Sequence, residues 1–284
     1  MLGFNEILIL PRPYPHVSLS FIRDHVITTA IAIANNKTRY LEYGVYLGGS
    51  FLQVNYIARC FGHNMTFAGI ENFKFLDWDS TQRANDSNEK VSLPKNPAEL
   101  ESFIHSMIQQ EFLDKTIQDN ITNPGHIDCK IYTTTSELKL ATPNTTYDII
   151  HLDGDHSYDS VMQSFNDTYQ FSNAETMWVF DDYSSLYIDV VSAAHDIMRS
   201  YGLRVLVGTQ NKLVVCKDPF KRKLMQNLDA VKELFNNSDF GIDTTDTKQL
   251  GTILTLNTNR SVRKSQFQSV SVFQQDPWQA INRK

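Results

Sequence analysis

The stretch YLEYGVYLGGSFLQVNYIARCF, residues 40–61, changes its period halfway along. Residues 40–45, YLEYGV, form a short apolar run of the kind that becomes a buried strand. Glycines at 44, 48 and 49 punctuate it. Beyond them Phe51, Val54, Ile57 and Ala58 recur at the spacing of one helix face. A strand that enters a helix through a glycine turn is the opening unit of a parallel α/β sheet.

The same alternation continues downstream. TFAGIEN (66–72), HIDCKIYTT (126–134), YDIIHLDG (147–154) and TMWVFDDY (176–183) read as further strands. Helical spacing fills 98–118, 158–171 and 187–201, the last with Val190, Val191, Ala194 and Ile197 facing inward. LRVLVGTQNKLVVCKD (203–218) leaves no room for a crossover helix, so it predicts an antiparallel hairpin. The expected fold is α/β: a doubly wound, Rossmann-like, seven-stranded sheet, mostly parallel, with a C-terminal antiparallel hairpin. The early strands are almost continuously apolar, as in a sheet covered on both faces.

An N-terminal helical segment, 1–37, precedes the sheet domain at 38–218, and its helix is expected over 17–35. Residues 73–97 are polar, end in two prolines and read as a long, lid-like insertion. Residues 219–284 are expected to hold one helix, 219–236, and then a polar tail without readable pattern.

Composition sets the class. With 41% hydrophobic and 20% charged residues the chain matches a globular protein. A net charge of -6 and a pI near 5.7 speak against a nucleic-acid partner. The apolar run 26–34 is too short to span a bilayer, and no basic segment leads into a long apolar one, so a cytoplasmic protein away from membranes is expected. Cys60, Cys129 and Cys216 form no CxxC and read as reduced thiols, the last two buried in strands.

The unusual residues gather where strands end, the edge on which open parallel sheets bind ligands. The glycine turn would admit a ligand close to backbone at a helix N-terminus, though its spacing is G-x-x-x-G-G rather than G-x-G-x-x-G. Glu71, 22 residues after Gly49, ends the second strand, where an acid typically accepts hydrogen bonds from a ribose diol. Together they indicate a nucleoside-bearing cofactor without choosing between NAD and S-adenosylmethionine. Asp153 and the pair Asp181-Asp182 end consecutive strands. If those strands are neighbours, about 4.8 Å apart, the acids repel unless something positive joins them. A hard divalent cation such as Mg²⁺ would do so; a helix cap is the plainer reading of one such acid alone, but the set of three favours the metal. His156, three residues after Asp153, is the candidate general base. His126 and His151 lie at or inside strands and read as packing residues.

LEYGVYLGGSF, GIENF, YDIIHLDGDHSYDSV and VFDDY together resemble the class I S-adenosylmethionine-dependent methyltransferases. The likeness is to the metal-dependent branch of macrocin O-methyltransferase-like and cephalosporin hydroxylase-like proteins, over residues 38–218. It implies that Glu42, Gly44, Tyr46, Gly48, Gly49, Ser50 and Asp153 surround the methionine end of the cofactor. Glu71 would hold the ribose, Asn72 and Phe73 would flank the adenosine, and Ser136 would lie near the adenine. Asp153, Asp181 and Asp182 would bind Mg²⁺, with His156 as base. The acceptor implied is a hydroxyl of a sugar or other small natural product. Two departures stand out: the bulky Tyr46-Leu47 inside the glycine motif, and Glu71 where many members carry aspartate. An NAD-dependent oxidoreductase and a non-catalytic cofactor-binding module stay open as alternatives, as does a homo-oligomer.

Overall fold

The computed structural model describes residues 22–74, 93–113, 127–209, 211–235, 240–248 and 251–258. Nine strands form one sheet among them: β1 (Arg39–Tyr43), β2 (Thr66–Ile70), β3 (Asp128–Tyr132), β4 (Ile149–Leu152), β5 (Met177–Phe180), β6 (Leu203–Gly208), β7 (Leu213–Lys217), β8 (Phe240–Thr247) and β9 (Gly251–Thr258). Their order is β3-β2-β1-β4-β5-β7-β6-β9-β8. The chain winds outward from β1 to β3, then crosses back to β4 and β5, so the order reverses between β1 and β4. β1 to β5 are parallel neighbours, and β7 lies antiparallel between β5 and β6. The expected doubly wound sheet and its hairpin are present.

The strand count differs from the expected seven. Residues 240–258, read as a patternless tail, form the hairpin β8–β9 instead. β9 joins β6 through the single parallel register pair Val207↔Leu254. Among the described side chains of this hairpin Ile242, Ile253 and Leu254 are buried, while Asp243, Thr244, Thr245 and Asp246 face solvent. An edge strand with charged and Thr-rich faces gives no apolar alternation to read.

Helices cover both faces. α1 (Ile22–Ala34), α2 (Gly49–Cys60), α3 (Pro97–Leu113), α7 (Asp218–Gln226) and α8 (Leu228–Glu233) share a core with Tyr40, Ile149, Val179 and Val214. α4 (Thr135–Ala141), α5 (Tyr158–Tyr169) and α6 (Ile188–Tyr201) cover Leu41, Ile150, Leu152, Trp178 and Phe180. Odd and even positions of each strand feed opposite cores, as the two-residue period requires. The expected helix 219–236 is two helices that meet at Asn227. α4 was not expected, although its start is written in Thr134-Thr135-Ser136-Glu137. The Thr134 hydroxyl accepts from Glu137 N at 3.2 Å, and the Glu137 carboxylate accepts from Thr133 N at 2.8 Å.

Residues 75–92, most of the expected lid, lie outside the described residues, as do 1–21 and 259–284. No described helix is long and apolar enough to cross a membrane.

Candidate active site

The carboxyl ends of β1, β2, β4 and β5 meet at one edge. Gly44, at the end of β1, has φ +88°, and a Cβ there would sit 2.2 Å from the Asp153 carbonyl oxygen. The ends of β1 and β4 therefore touch through backbone, which only glycine permits. Gly48 (φ +78°) caps α2 with no side chain over the first N–H groups. Gly49 and Ser50 lie buried in the first turn. A helix start of this kind suits an anionic group.

Three non-glycine residues at these strand ends also adopt left-handed backbone: Tyr46 (φ 52°), Phe73 (φ 60°) and Asp182 (φ 50°). Such conformations cost about 1–3 kcal/mol each and persist only where the surroundings enforce them. Glu71 enforces two. Its Oε2 accepts from Tyr46 N at 2.7 Å and its Oε1 from Phe73 N at 2.9 Å. The carboxylate expected at the ribose thus also ties the β1 turn to the β2 turn. Burial pushes its pKa up, against the pull of these N–H groups. Asn72 is exposed and turns its Oδ1 onto Lys74 N at 2.9 Å. Ser136 is exposed in the first turn of α4.

The acids divide into two groups. On the open side His156 Nε2 lies 3.0 Å from Asp182 Oδ2. That hydrogen bond holds the His156 pKa above its ordinary value. Asn211 Nδ2 donates to Asp182 Oδ1 at 2.8 Å and so orients the carboxylate. The Tyr187 ring stands 4.5 Å from the imidazole. Asp153, His156 and Asp182 each bring one ligand atom within 4.8 Å of the others.

Asp181 turns the other way, into the core between the sheet and α1. Its Oδ2 accepts from Lys212 Nζ at 2.6 Å and lies 3.4 Å from His151 Nε2. Its Oδ1 accepts from Asp182 N at 2.8 Å and from Asn211 Nδ2 at 3.2 Å. A carboxylate offers about four lone-pair sites; here three take donors and the fourth faces His151 Nε2. The expected ligand trio Asp153, Asp181 and Asp182 therefore does not fit a divalent cation in this arrangement.

The network runs on from Asp181. His151 Nδ1 lies 3.0 Å from Glu42 Oε1 and 2.8 Å from the Tyr40 hydroxyl. His25 of α1 meets His151 edge-on, with ring centroids 5.7 Å apart. Lys212 and His151 are 0% exposed and Glu42 1%, so none of these charges sees water. Burial and the Lys212 charge push His151 down, but Glu42 and Asp181 outweigh them and its pKa rises. Burial opposes charge on Asp181, yet Lys212 and His151 hold it well below the usual carboxylate range. Asp153 goes well up, first by burial and then by the Asp181 charge.

Glu42 thus sits in the buried network, paired in register with His151. His151 is buried, but as the hub of a polar chain rather than as a packing residue. Lys212, Tyr40 and His25 carry no role in the sequence reading. A signal existed for Tyr40 alone: Glu42 and His151, charged or polar residues inside doubly covered strands, need a buried partner.

The family model described as a methyltransferase domain matches residues 41–183. That span holds the glycine turn, Glu71, Asp153, His156, Asp181 and Asp182, but not Lys212. Among solved structures the chain is similar to the O-methyltransferase NovP, at 12% identity and TM-score 0.44, over 68% of this chain and 78% of that one. It is similar to CalS11, a TDP-rhamnose 3'-O-methyltransferase of calicheamicin biosynthesis, at 12% identity and TM-score 0.44, over 68% and 76%. It is also similar to an O-methyltransferase from Bacillus cereus in complex with SAH, at 10% identity and TM-score 0.36, over 90% and 91%. No curated protein sequence matches the chain. Likenesses this distant leave activity to be argued from the site.

Proposed function

The chain belongs to the methyltransferase-domain family, and we propose that it transfers a methyl group from S-adenosylmethionine to a hydroxyl oxygen of a small molecule. The acceptor class is a sugar or another natural product, as the likeness of its motifs to that branch implies. The observation that carries the reading is the His156–Asp182 pair, set on the same sheet edge as the glycine turn and Glu71.

The residues present suit the cofactor. An uncapped start of α2 at Gly48 offers N–H groups to a carboxylate. Glu71, Asn72 and Phe73 at the end of β2, with Ser136 beyond β3, offer acid, amide, ring and hydroxyl to a nucleoside. Gly44, Tyr46, Gly49 and Ser50 complete the methionine end. Once bound, S-adenosylmethionine supplies an electrophilic methyl group on a sulfonium.

The remaining work falls to side chains of this chain. With Nε2 held by Asp182, His156 offers Nδ1 to take the proton of the acceptor hydroxyl as its oxygen forms the new C–O bond. Asp182 keeps the ring oriented and stabilises the imidazolium that results. Asn211 fixes Asp182. Tyr187, against the imidazole, narrows the approach. Much of the rate gain of such a site comes from holding the two reactants in line.

Calorimetric titration of the purified chain with S-adenosylmethionine, with NAD as control, tests this reading. Micromolar binding of S-adenosylmethionine and none of NAD is expected. NAD binding instead would move the chain to an oxidoreductase reading. Binding without S-adenosylhomocysteine release across a panel of glycosides and phenols would leave a binding module.

A further inference from the structure

We infer that the ammonium group of Lys212 stands in the place of a divalent cation at the strand-end acids, so that this site works without a bound metal. The inference rests on the methyltransferase reading for its chemistry, but on geometry for its substance.

Three acids at the ends of β4 and β5 require a positive charge nearby, as any such cluster does. In this chain that charge is covalent. Lys212 lies at the entrance to β7, which pairs with β5. Its stem crosses the core and its Nζ reaches Asp181 Oδ2 at 2.6 Å with no exposure to solvent. A lysine is almost never buried fully unless paired, and this one is paired with the acid that a metal would need.

Donor occupancy points the same way. Asp181 spends both oxygens on three donors, Lys212 Nζ, Asp182 N and Asn211 Nδ2, and its Oδ2 also lies 3.4 Å from His151 Nε2. Asp182 spends one on Asn211 and the other on His156. A cation at Asp153, His156 and Asp182, the more open of the two trios whose ligand atoms gather among the described residues, would have to take His156 Nε2 from Asp182. It would also add two positive charges beside Lys212 and His156, against acids that these cations already balance. The structure thus assigns the acceptor's activation to His156 and Asp182 alone, with Lys212 holding Asp181 in place behind them. Lys212 touches no reacting atom in this scheme and is a positioning residue.

Mn²⁺ titration of the full-length protein, followed by electron paramagnetic resonance, tests the inference without reference to turnover. The wild type is expected to take up no Mn²⁺ in the micromolar range. Its melting temperature is expected to be the same in millimolar Mg²⁺ and in EDTA. Lys212→Met removes the ammonium and frees Asp181, and is expected to gain a Mn²⁺ site that the further change Asp182→Asn abolishes. One equivalent of Mn²⁺ on the wild type, lost in Asp182→Asn, overturns the inference. So does a wild-type melting temperature that rises by several degrees in Mg²⁺, a measurement that holds even if Lys212→Met does not fold. A folded Lys212→Met that still binds no Mn²⁺ overturns the role given to Lys212. S-adenosylmethionine titration of the EDTA-treated wild type separates the two claims: failure to bind there, with the metal results as expected, defeats the function reading and leaves the absence of a metal standing.

Discussion

Substituting Gly44 by alanine probes the contact on which the whole edge depends. Two costs add at this position. At φ +88° an alanine Cβ meets its own backbone, which costs about 1–2 kcal/mol. It also lands 2.2 Å from the Asp153 carbonyl oxygen, 2.6 Å from the carbonyl carbon and 2.8 Å from Gly154 Cα. All three are backbone atoms of the loop after β4, so no side chain can swing aside, and overpacking of this kind costs about 1–3 kcal/mol. The sum, roughly 2–5 kcal/mol, is a large share of the stability of an ordinary domain. Gly62 supplies the control: its φ is +74°, and a Cβ there meets nothing within 4 Å. Gly62→Ala carries the backbone term alone, and the unfolded-state gain from replacing glycine is common to both. Urea unfolding of the two variants is expected to place Gly44→Ala about 1–3 kcal/mol below Gly62→Ala. In thermal melts that difference reads as about 2–4 °C per kcal/mol in a chain approaching this size. Equal stabilities would refute the reasoning, because the ends of β1 and β4 would then not meet as described.

The remaining expectations concern the catalytic pair and the thiols. His156 must be neutral to accept a proton, and Asp182 raises its pKa above the ordinary 6.5, so the rate should climb with pH through a value above that. Asp182→Asn removes the charge that raises it and should move this limb to lower pH, while His156→Asn should lose about 10²–10⁴-fold in turnover with cofactor affinity retained. A limb that ignores Asp182→Asn would count against the pair. Among the thiols, burial pushes Cys129 and Cys216 up to about 12, and no disulfide links the three cysteines. Mass spectrometry after iodoacetamide at mild alkaline pH should therefore find Cys60 labelled and the other two protected until the chain unfolds.

The sequence made the sheet legible from β1 to β7 because most of those strands are near-continuously apolar, β3 alternates, and the glycine, acid and turn residues fall between them. The strand-end chemistry was legible for a related reason: Asp153, His156 and Asp182 interrupt apolar runs. What could not be read was direction. Asp181 and Asp182 are adjacent in sequence and look alike, yet one faces the core and the other the open edge, and the left-handed backbone at Asp182 accompanies that divergence. Lys212 follows Thr209-Gln210-Asn211, a turn-like context in which a lysine is ordinarily solvated. Its burial is set by β7 pairing with β5, a long-range fact that no local pattern carries. The β8–β9 hairpin was missed because Thr and Asp occupy both of its faces.

Glu71 has a consequence for how any variant of this edge is interpreted. A single carboxylate clasps the amides of Tyr46 and Phe73, which belong to two separate loops. Whatever else hydrogen-bonds to Glu71 competes for the same two oxygens, so occupancy at the end of β2 is transmitted to the turn that starts α2. The two halves of the pocket are then one thermodynamic unit: a change at either loop alters affinity for groups that touch only the other. Affinities measured on fragments, adenosine on one side and methionine on the other, would not multiply to that of the whole, and the shortfall or excess would measure the strength of that clasp.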